Sequence, residues 1–226
     1  MLTTIILLIL RRYKKNHPER FDTVKTTALR IARVVFLLAI ASSILLSANA
    51  QVKLLQYIVE RNGKNIGYMN IKEVQNGATV KLLLRSDIKM KLFFTFSARG
   101  REEAVYDSGL LVYSKVFQQL NGTEKVNQEI RYVNDAYFTK ISNEETKLTD
   151  TRIFYNLVCI YTKEPLTNTV VWSDKYQDFL PVYRIAAHKY RIKFPDGSHN
   201  DYSFHNGICN RVDVHHSFYK ATMILQ

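Results

Sequence analysis

The 226-residue sequence is poor in residues that interrupt or cross-link a fold, with eight glycines, four prolines and two cysteines. So little glycine and proline, beside 46% hydrophobic residues, argues against a long disordered tract. The cysteines form no CxxC motif, which argues against a thiol redox role. The sequence also lacks an HExxH motif, a serine nucleophile elbow, a glycine-rich phosphate loop and a paired-carboxylate signature. No motif therefore defines an enzyme class, and none indicates a cofactor.

Positive charge is abundant but unevenly placed. The net charge is +12, and residues 1–50, with eight Lys+Arg and two Asp+Glu, account for +6 of it. The remaining +6 is spread over residues 51–226. A nucleic-acid partner normally requires a clustered basic face. We therefore expect no nucleic-acid partner.

A 13-residue apolar run over residues 34–46 is the clearest targeting signal. Basic residues precede it, and Ser47-Ala48-Asn49-Ala50 follows it. A positive region, a short apolar core and a small-x-small site are typical of a secretory signal peptide. The run is shorter than the roughly 20 residues that span a bilayer, which favours cleavage over an uncleaved anchor or a buried helix.

Cleavage between Ala50 and Gln51 would divide the chain into two parts. Residues 1–50 are expected to be an N-terminal extension plus the cleaved signal peptide, and residues 51–226 a single β-rich domain. The mature protein is then expected to be periplasmic or secreted. The stretch before the signal is longer than a conventional signal requires, and translation from an internal start at Val24 is one explanation.

Turn signals divide the second part into short segments. Five of the eight glycines follow Asn or Asp, which suits two-residue hairpin turns. Between the turns, apolar and polar residues alternate, most clearly where Tyr190, Ile192 and Phe194 share one face. A period of two is typical of antiparallel strands with one buried face. We predict a mainly β fold, a curved antiparallel sheet or half-barrel of about nine to ten strands.

One segment has helical spacing instead. Apolar residues recur at the spacing of one helix face within residues 149–161: Ile153, Phe154, Leu157, Val158 and Tyr161. Pro165 blocks continuation beyond it. The pattern predicts one amphipathic helix over about 149–161, packed on the apolar face of the sheet.

Histidines concentrate near the end of the chain and suggest a metal site. A two-residue hairpin at Asn206-Gly207 would place His199 opposite Val214, with His216 diagonal to it and Asp201 on the same face. Imidazole and carboxylate groups are ligands of zinc. His199, Asp201 and His216 are therefore candidate metal ligands. The alternative is a solvated strand face that is rich in histidine.

The two cysteines, Cys159 and Cys209, both follow the predicted cleavage point. Outside the cytoplasm such a pair can form a disulfide. The bond would close a loop of about 50 residues, worth roughly 4 kcal/mol in the chain-entropy model. The alternative is that both thiols are simply packed in the core.

Several segments resemble an uncharacterised family of exported bacterial β-rich proteins that carry a domain of unknown function. The resemblance implies a fold built from hairpins and implies no activity or catalytic residue. The sequence is also similar, at the level of the fold alone, to periplasmic half-barrel proteins that enclose hydrophobic ligands. The segments that carry it are Gln56–Gly67, Glu164-Pro165, Val171–Ser173, Tyr190–Tyr202 and His205–Gly207.

Three functions compete at this point. The first is a non-catalytic envelope protein that binds a lipid, another apolar or amphipathic ligand, or an envelope protein partner. The second is an integral outer-membrane β-barrel, because alternating strands are also its signature. The third is a metal-dependent hydrolase that uses the late His/Asp cluster. The absence of catalytic motifs favours the first.

Overall fold

The computed structural model describes Arg33, Phe36 and residues 50–226 except 92–94, 142–143 and 149–150. Apart from Phe36, the signal core predicted at residues 34–46 lies outside the described residues, as does the alternative start at Val24. The chain divides into two compact units, Met1–Asn49 and Ala50–Gln226. Among the described residues, no helix combines the length and apolarity needed to cross a membrane.

The second unit is built almost entirely from strands. Its described residues contain no α-helix, and one short 3₁₀ turn spans Cys159–Tyr161. Fourteen strands follow one another along the chain. They are β1 Gln51–Arg61, β2 Lys64–Asn76, β3 Thr79–Lys91, β4 Thr95–Asp107, β5 Leu110–Leu120, β6 Thr123–Val133, β7 Ala136–Ile141, β8 Glu144–Leu148, β9 Val170–Ser173, β10 Asp178–Ala186, β11 Lys189–Lys193, β12 His199–His205, β13 Ile208–His216 and β14 Tyr219–Leu225.

All fourteen strands form one antiparallel sheet of hairpins. The order in the sheet runs from β8 back to β1, then from β14 back to β9. The first and last strands pair, with Tyr57 opposite Leu225, so the two ends of the unit meet in the middle of the sheet. The sheet is open between β8 and β9, which are its two edges. The mainly β prediction is confirmed, but the predicted strand number was too low because short charged strands such as Glu144–Leu148 do not alternate.

The turns follow from residues that tolerate a left-handed backbone. Asn62-Gly63, Asn121-Gly122 and Asn206-Gly207 have positive φ at both residues, between 50° and 79°. This geometry gives the two-residue turn whose twist matches the flanking strands. At Asn76-Gly77 the position of the turn differs. Asn76 itself pairs with Thr79, so the two-residue turn begins one residue later, at Gly77.

The sheet curves around the chain that connects β8 to β9. Residues 151–169 of this connection are described, and we call them the inner segment. The Leu111 amide in β5 donates to the Ile153 carbonyl at 2.8 Å, and the Trp172 amide in β9 donates to the Tyr155 carbonyl at 2.9 Å. Ile153 and Ile160 are fully buried. The face of the sheet toward the inner segment, the concave face, thus forms the core.

The predicted helix over residues 149–161 is wrong. Residues 149–150 lie outside the described residues. Ile153 and Tyr155 are buried with Phe154 64% exposed between them, and the helical structure in the described part of 149–161 is limited to the 3₁₀ turn Cys159–Tyr161. A parallel bridge joins Asn156 to Trp172. Because strands β5 and β9 provide partners for its backbone groups, the segment does not need the hydrogen bonds of a helix.

Candidate functional site

Polar side chains on the concave face form a cluster around Glu102 and Asp174. Glu102 lies in the middle of β4, opposite Leu84 of β3 and Val116 of β5. Asp174 follows the last residue of β9, in the turn toward β10. The curvature of the sheet brings these distant parts of the chain together, since both side chains line one cavity.

Burial controls the charge of Glu102. Loss of solvent and, after it, the charge of Asp174 raise the pKa of Glu102 from 4.5 to about 7. A hydrogen bond from Gln118 and the positive charge of Lys175 act in the opposite direction. Glu102 therefore exchanges a proton near neutral pH and can either donate or accept a hydrogen bond.

Asp174 is held more rigidly than Glu102. Its carboxylate accepts hydrogen bonds from the hydroxyl of Ser114 and from Nδ2 of Asn156, the latter at 2.8 Å. Burial raises the pKa of the Asp174 carboxyl, and these two hydrogen bonds lower it. Ser114 comes from β5 and Asn156 from the inner segment, so Asp174 joins three parts of the fold.

Two adjoining cavities open onto this cluster. One has a volume of about 440 Å³ and the other about 350 Å³, and four residues line both: Leu84, Glu102, Gln118 and Lys175. We call the two together the cleft. Its larger half is mainly apolar, and its apolar lining consists of Leu84, Phe96, Ala98, Leu120 and Val126.

The smaller half of the cleft, which we call the polar half, is more polar than the larger half and is rich in tyrosine. Beside Glu102 and Asp174 it is lined by Asp196, Ser198, Asn200 and His216. Four tyrosines also line it, namely Tyr161, Tyr176, Tyr202 and Tyr219. A concave apolar surface with a few convergent polar groups, in a volume of a few hundred Å³, is typical of small-molecule sites.

The predicted metal ligands are not all on one face. In the structure His199 lies opposite His215, not Val214. Phe204 pairs with Cys209 but Ser203 pairs with Arg211, which leaves Asn210 without a partner in a β-bulge. The extra residue shifts the register by one and exchanges the faces beyond it.

His216 therefore takes no part in the cluster predicted for it. It lines the cleft on the concave face and stacks on Tyr219, with ring centroids 4.9 Å apart. His215 replaces it beside His199 and Asp201 on the opposite, convex face, where ligand atoms of the three residues lie within 4.8 Å of one another. No local sequence pattern indicates the bulge at Asn210.

The structure holds both cysteines as free, buried thiols. The Cys159 thiol donates to Oδ1 of Asn156 at 3.3 Å, and the Cys209 thiol donates to the carbonyl of Arg211 at 3.5 Å. Burial raises the pKa of Cys159 to about 11 and that of Cys209 to about 12. Each thiol thus has its own polar partner, and the structure does not pair them.

Glu102 and Glu103 are neighbours in β4, so their side chains lie on opposite faces of the strand. Glu103 forms an ion pair with Lys81 at 2.6 Å, away from the cleft. Glu102 instead points into the cleft. The one indication in the sequence is the alternation along β4, which places Glu102 on the same face as Ala104 and Tyr106, and these two residues are buried.

The fold and the cleft define a class of protein: a curved, open β-sheet domain that partly encloses a cavity with an apolar and a polar half. The chain belongs to the family of the domain of unknown function DUF6134, whose model matches residues 57–226. This confirms the resemblance to an uncharacterised β-rich family.

Among solved structures, the chain is similar to a β-barrel-like protein of the domain of unknown function DUF1849 from Brucella abortus. The two share 10% sequence identity with a TM-score of 0.48, over 78% of this chain and 95% of that chain. No curated protein matches the sequence.

Proposed function

We propose that this domain is an exported, non-catalytic binding protein that holds an amphipathic small molecule in the cleft. The observation that carries the proposal is the difference in polarity between the larger, mainly apolar half of the cleft and its polar half, which meet at Glu102. An amphipathic molecule has the same division. Its apolar part would contact Phe96, Ala98 and Leu120, and its polar part would reach Asp174.

The chemistry of the polar half specifies the head group of the ligand. Asp174 is already fixed by Ser114 and Asn156, whereas the Glu102 carboxyl is free to change its protonation state near neutral pH. Tyrosine hydroxyls and the Asn200 amide add both donors and acceptors. A neutral head with several hydroxyl or amide groups matches this lining better than a strongly charged one.

The position of the first strand supports export. Strand β1 begins at Gln51, the residue at which the mature protein would begin after removal of the predicted signal peptide. The compact unit begins at Ala50, so signal removal would leave its strands intact. An envelope protein released in this form would meet lipids and other amphipathic molecules directly.

Occlusion of the apolar half tests the proposal. Ala98→Trp places an indole in the larger cavity, and Ala187→Trp makes the same change in an exposed turn as the control. The protein is purified without denaturation from cells that express the full chain, and native mass spectrometry and organic extraction identify any bound molecule.

We expect a bound amphipathic molecule in the wild type and in Ala187→Trp, and at least a tenfold loss of it in Ala98→Trp. The proposal would be overturned if the wild type contained no ligand and if Ala98→Trp and Ala187→Trp bound an amphipathic dye equally well. Circular dichroism and the thermal midpoint establish that both variants are folded.

A further inference from the structure

The convex face carries a cluster of imidazole and carboxylate groups that the cleft does not use. His199 of β12 and His215 of β13 lie directly opposite each other, and their rings stack with centroids 4.5 Å apart and planes 10° apart. Asp201 is two residues beyond His199 on the same face. The bulge at Asn210 creates this arrangement, because an unbulged hairpin would place Val214 opposite His199.

We propose that His199, His215 and Asp201 bind a divalent transition-metal ion, with the two imidazoles as its main ligands. Imidazole nitrogen suits zinc, copper and nickel, and cross-strand neighbours can direct two nitrogens at one ion. Two nitrogens on a tetrahedral zinc ion lie about 3.3 Å apart, given bonds of about 2.0–2.1 Å. The donor atoms of the three residues already lie within 4.8 Å of one another, so small side-chain rotations complete the site.

The surrounding charges determine how the site works. Asp201 accepts hydrogen bonds from Nε and Nη2 of Arg191 at 2.7 and 2.8 Å, which fixes its carboxylate and shares its charge. Asp201 is therefore the weaker ligand. Asp213, opposite Asp201 on β13, adds a negative charge.

Both histidines are accessible from solvent. His199 and His215 are half-buried, so an ion can enter and solvent can fill its remaining coordination positions. Lys193 pairs with His199 and Lys220 with His215 at the outer sides of the two strands. These cations weaken the binding of a dication, and we expect micromolar rather than nanomolar affinity.

Zinc titration of the untagged, chelator-treated full chain tests the site by isothermal titration calorimetry at pH 7.5. We expect one zinc ion per chain, with His199→Ala and His215→Ala each lowering the affinity at least tenfold and Asp201→Asn lowering it a few-fold. His216→Ala is the matched control, because His216 lies on the concave face and its loss leaves the site intact.

Two results would overturn the proposal. One is a wild-type affinity no greater than that of the His199→Ala/His215→Ala double variant, and the other is a loss of binding in His216→Ala equal to that in His215→Ala. Thermal unfolding with and without zinc gives a second measure, because an ion that binds only the folded state raises the midpoint. The Ala98→Trp variant should bind zinc normally, which separates this site from the cleft.

Discussion

Glu102 of β4 and Asp174 of the β9–β10 turn line the same cavity, and burial together with the negative charge of Asp174 raises the pKa of Glu102. Their proximity depends on the curvature that the inner segment supports. Asp174 has two protein hydrogen-bond donors, whereas Glu102 has the Gln118 side chain. The raised pKa of about 7 makes Glu102 a group through which pH acts on the cleft near neutrality.

Replacement of Glu102 by Gln should stabilise the protein above neutral pH and change little at pH 5. The folded-state pKa of about 7 exceeds the unfolded value of 4.5, so the group's contribution to stability is present below 4.5 and is lost as the pH rises toward 7. The full difference corresponds to about 3 kcal/mol, and partial contact with solvent reduces the expected gain at pH 8 to about 1–2 kcal/mol. Urea unfolding at pH 5 and pH 8 measures it.

The matched control is Glu103→Gln, the neighbouring carboxylate on the opposite face. It removes the ion pair with Lys81 and should cost less than about 1 kcal/mol, without a gain at pH 8. Equal pH responses in Glu102→Gln and Glu103→Gln would contradict the assignment of the raised pKa to Glu102.

Removal of the Tyr106 hydroxyl should destabilise the fold through the inner segment. The backbone amide of Asn156 donates to this hydroxyl at 3.1 Å, and Asn156 is buried. In Tyr106→Phe that amide loses its acceptor, which costs about 1–3 kcal/mol. The midpoint of urea unfolding should fall with an unchanged slope. Tyr68→Phe, at an exposed tyrosine, is the control and should leave the midpoint unchanged; equal midpoints for the two variants would contradict the role of Tyr106.

The extended pattern of the sheet could be predicted because it is local. Tyr190 and Ile192, predicted to share a buried face, are both buried, and Lys193 between the apolar positions is exposed. A period of two in the sequence requires only that one face of each strand meets the core. The same period requires Glu102 and Glu103 to lie on opposite faces, but it contains no information on which face of the curved sheet encloses a cavity.

The features that were not predicted depend on partners far along the chain. Ile153 and Leu157 fit a helix as well as an extended segment, and hydrogen bonds to Leu111 and Trp172 decide between them. The bulge at Asn210 adds one unpaired residue to β13. Because of this shift in register, His215 and not His216 lies beside His199. Neither outcome has a local sequence signal, because both arise from packing across the sheet.

Cleavage of the proposed signal peptide gives a further prediction, for which Asn49 provides the control position. If a signal peptidase cleaves after Ala50, its two small-residue positions are Ala48 and Ala50, and Asn49 between them is unconstrained. In a bacterial host, the intact mass of the periplasmic protein should correspond to a start at Gln51. Ala50→Leu should leave the precursor unprocessed, whereas Asn49→Leu should be processed normally. A precursor that is processed equally in both variants would contradict cleavage at this position.

The thiols of Cys159 and Cys209 should be unreactive in the folded protein. Burial raises their pKa values to about 11 and about 12, so at pH 8 almost no thiolate is present, and both side chains are shielded from reagent. A thiol-reactive dye should therefore label the native protein negligibly and label two thiols per chain in urea without reductant. If the denatured, non-reduced protein shows no thiols and a mass lower by two hydrogens, the cysteines form the disulfide that the sequence alone suggests. In that case β13 and the inner segment must approach each other more closely than they do in this structure, and reduction should lower the unfolding midpoint.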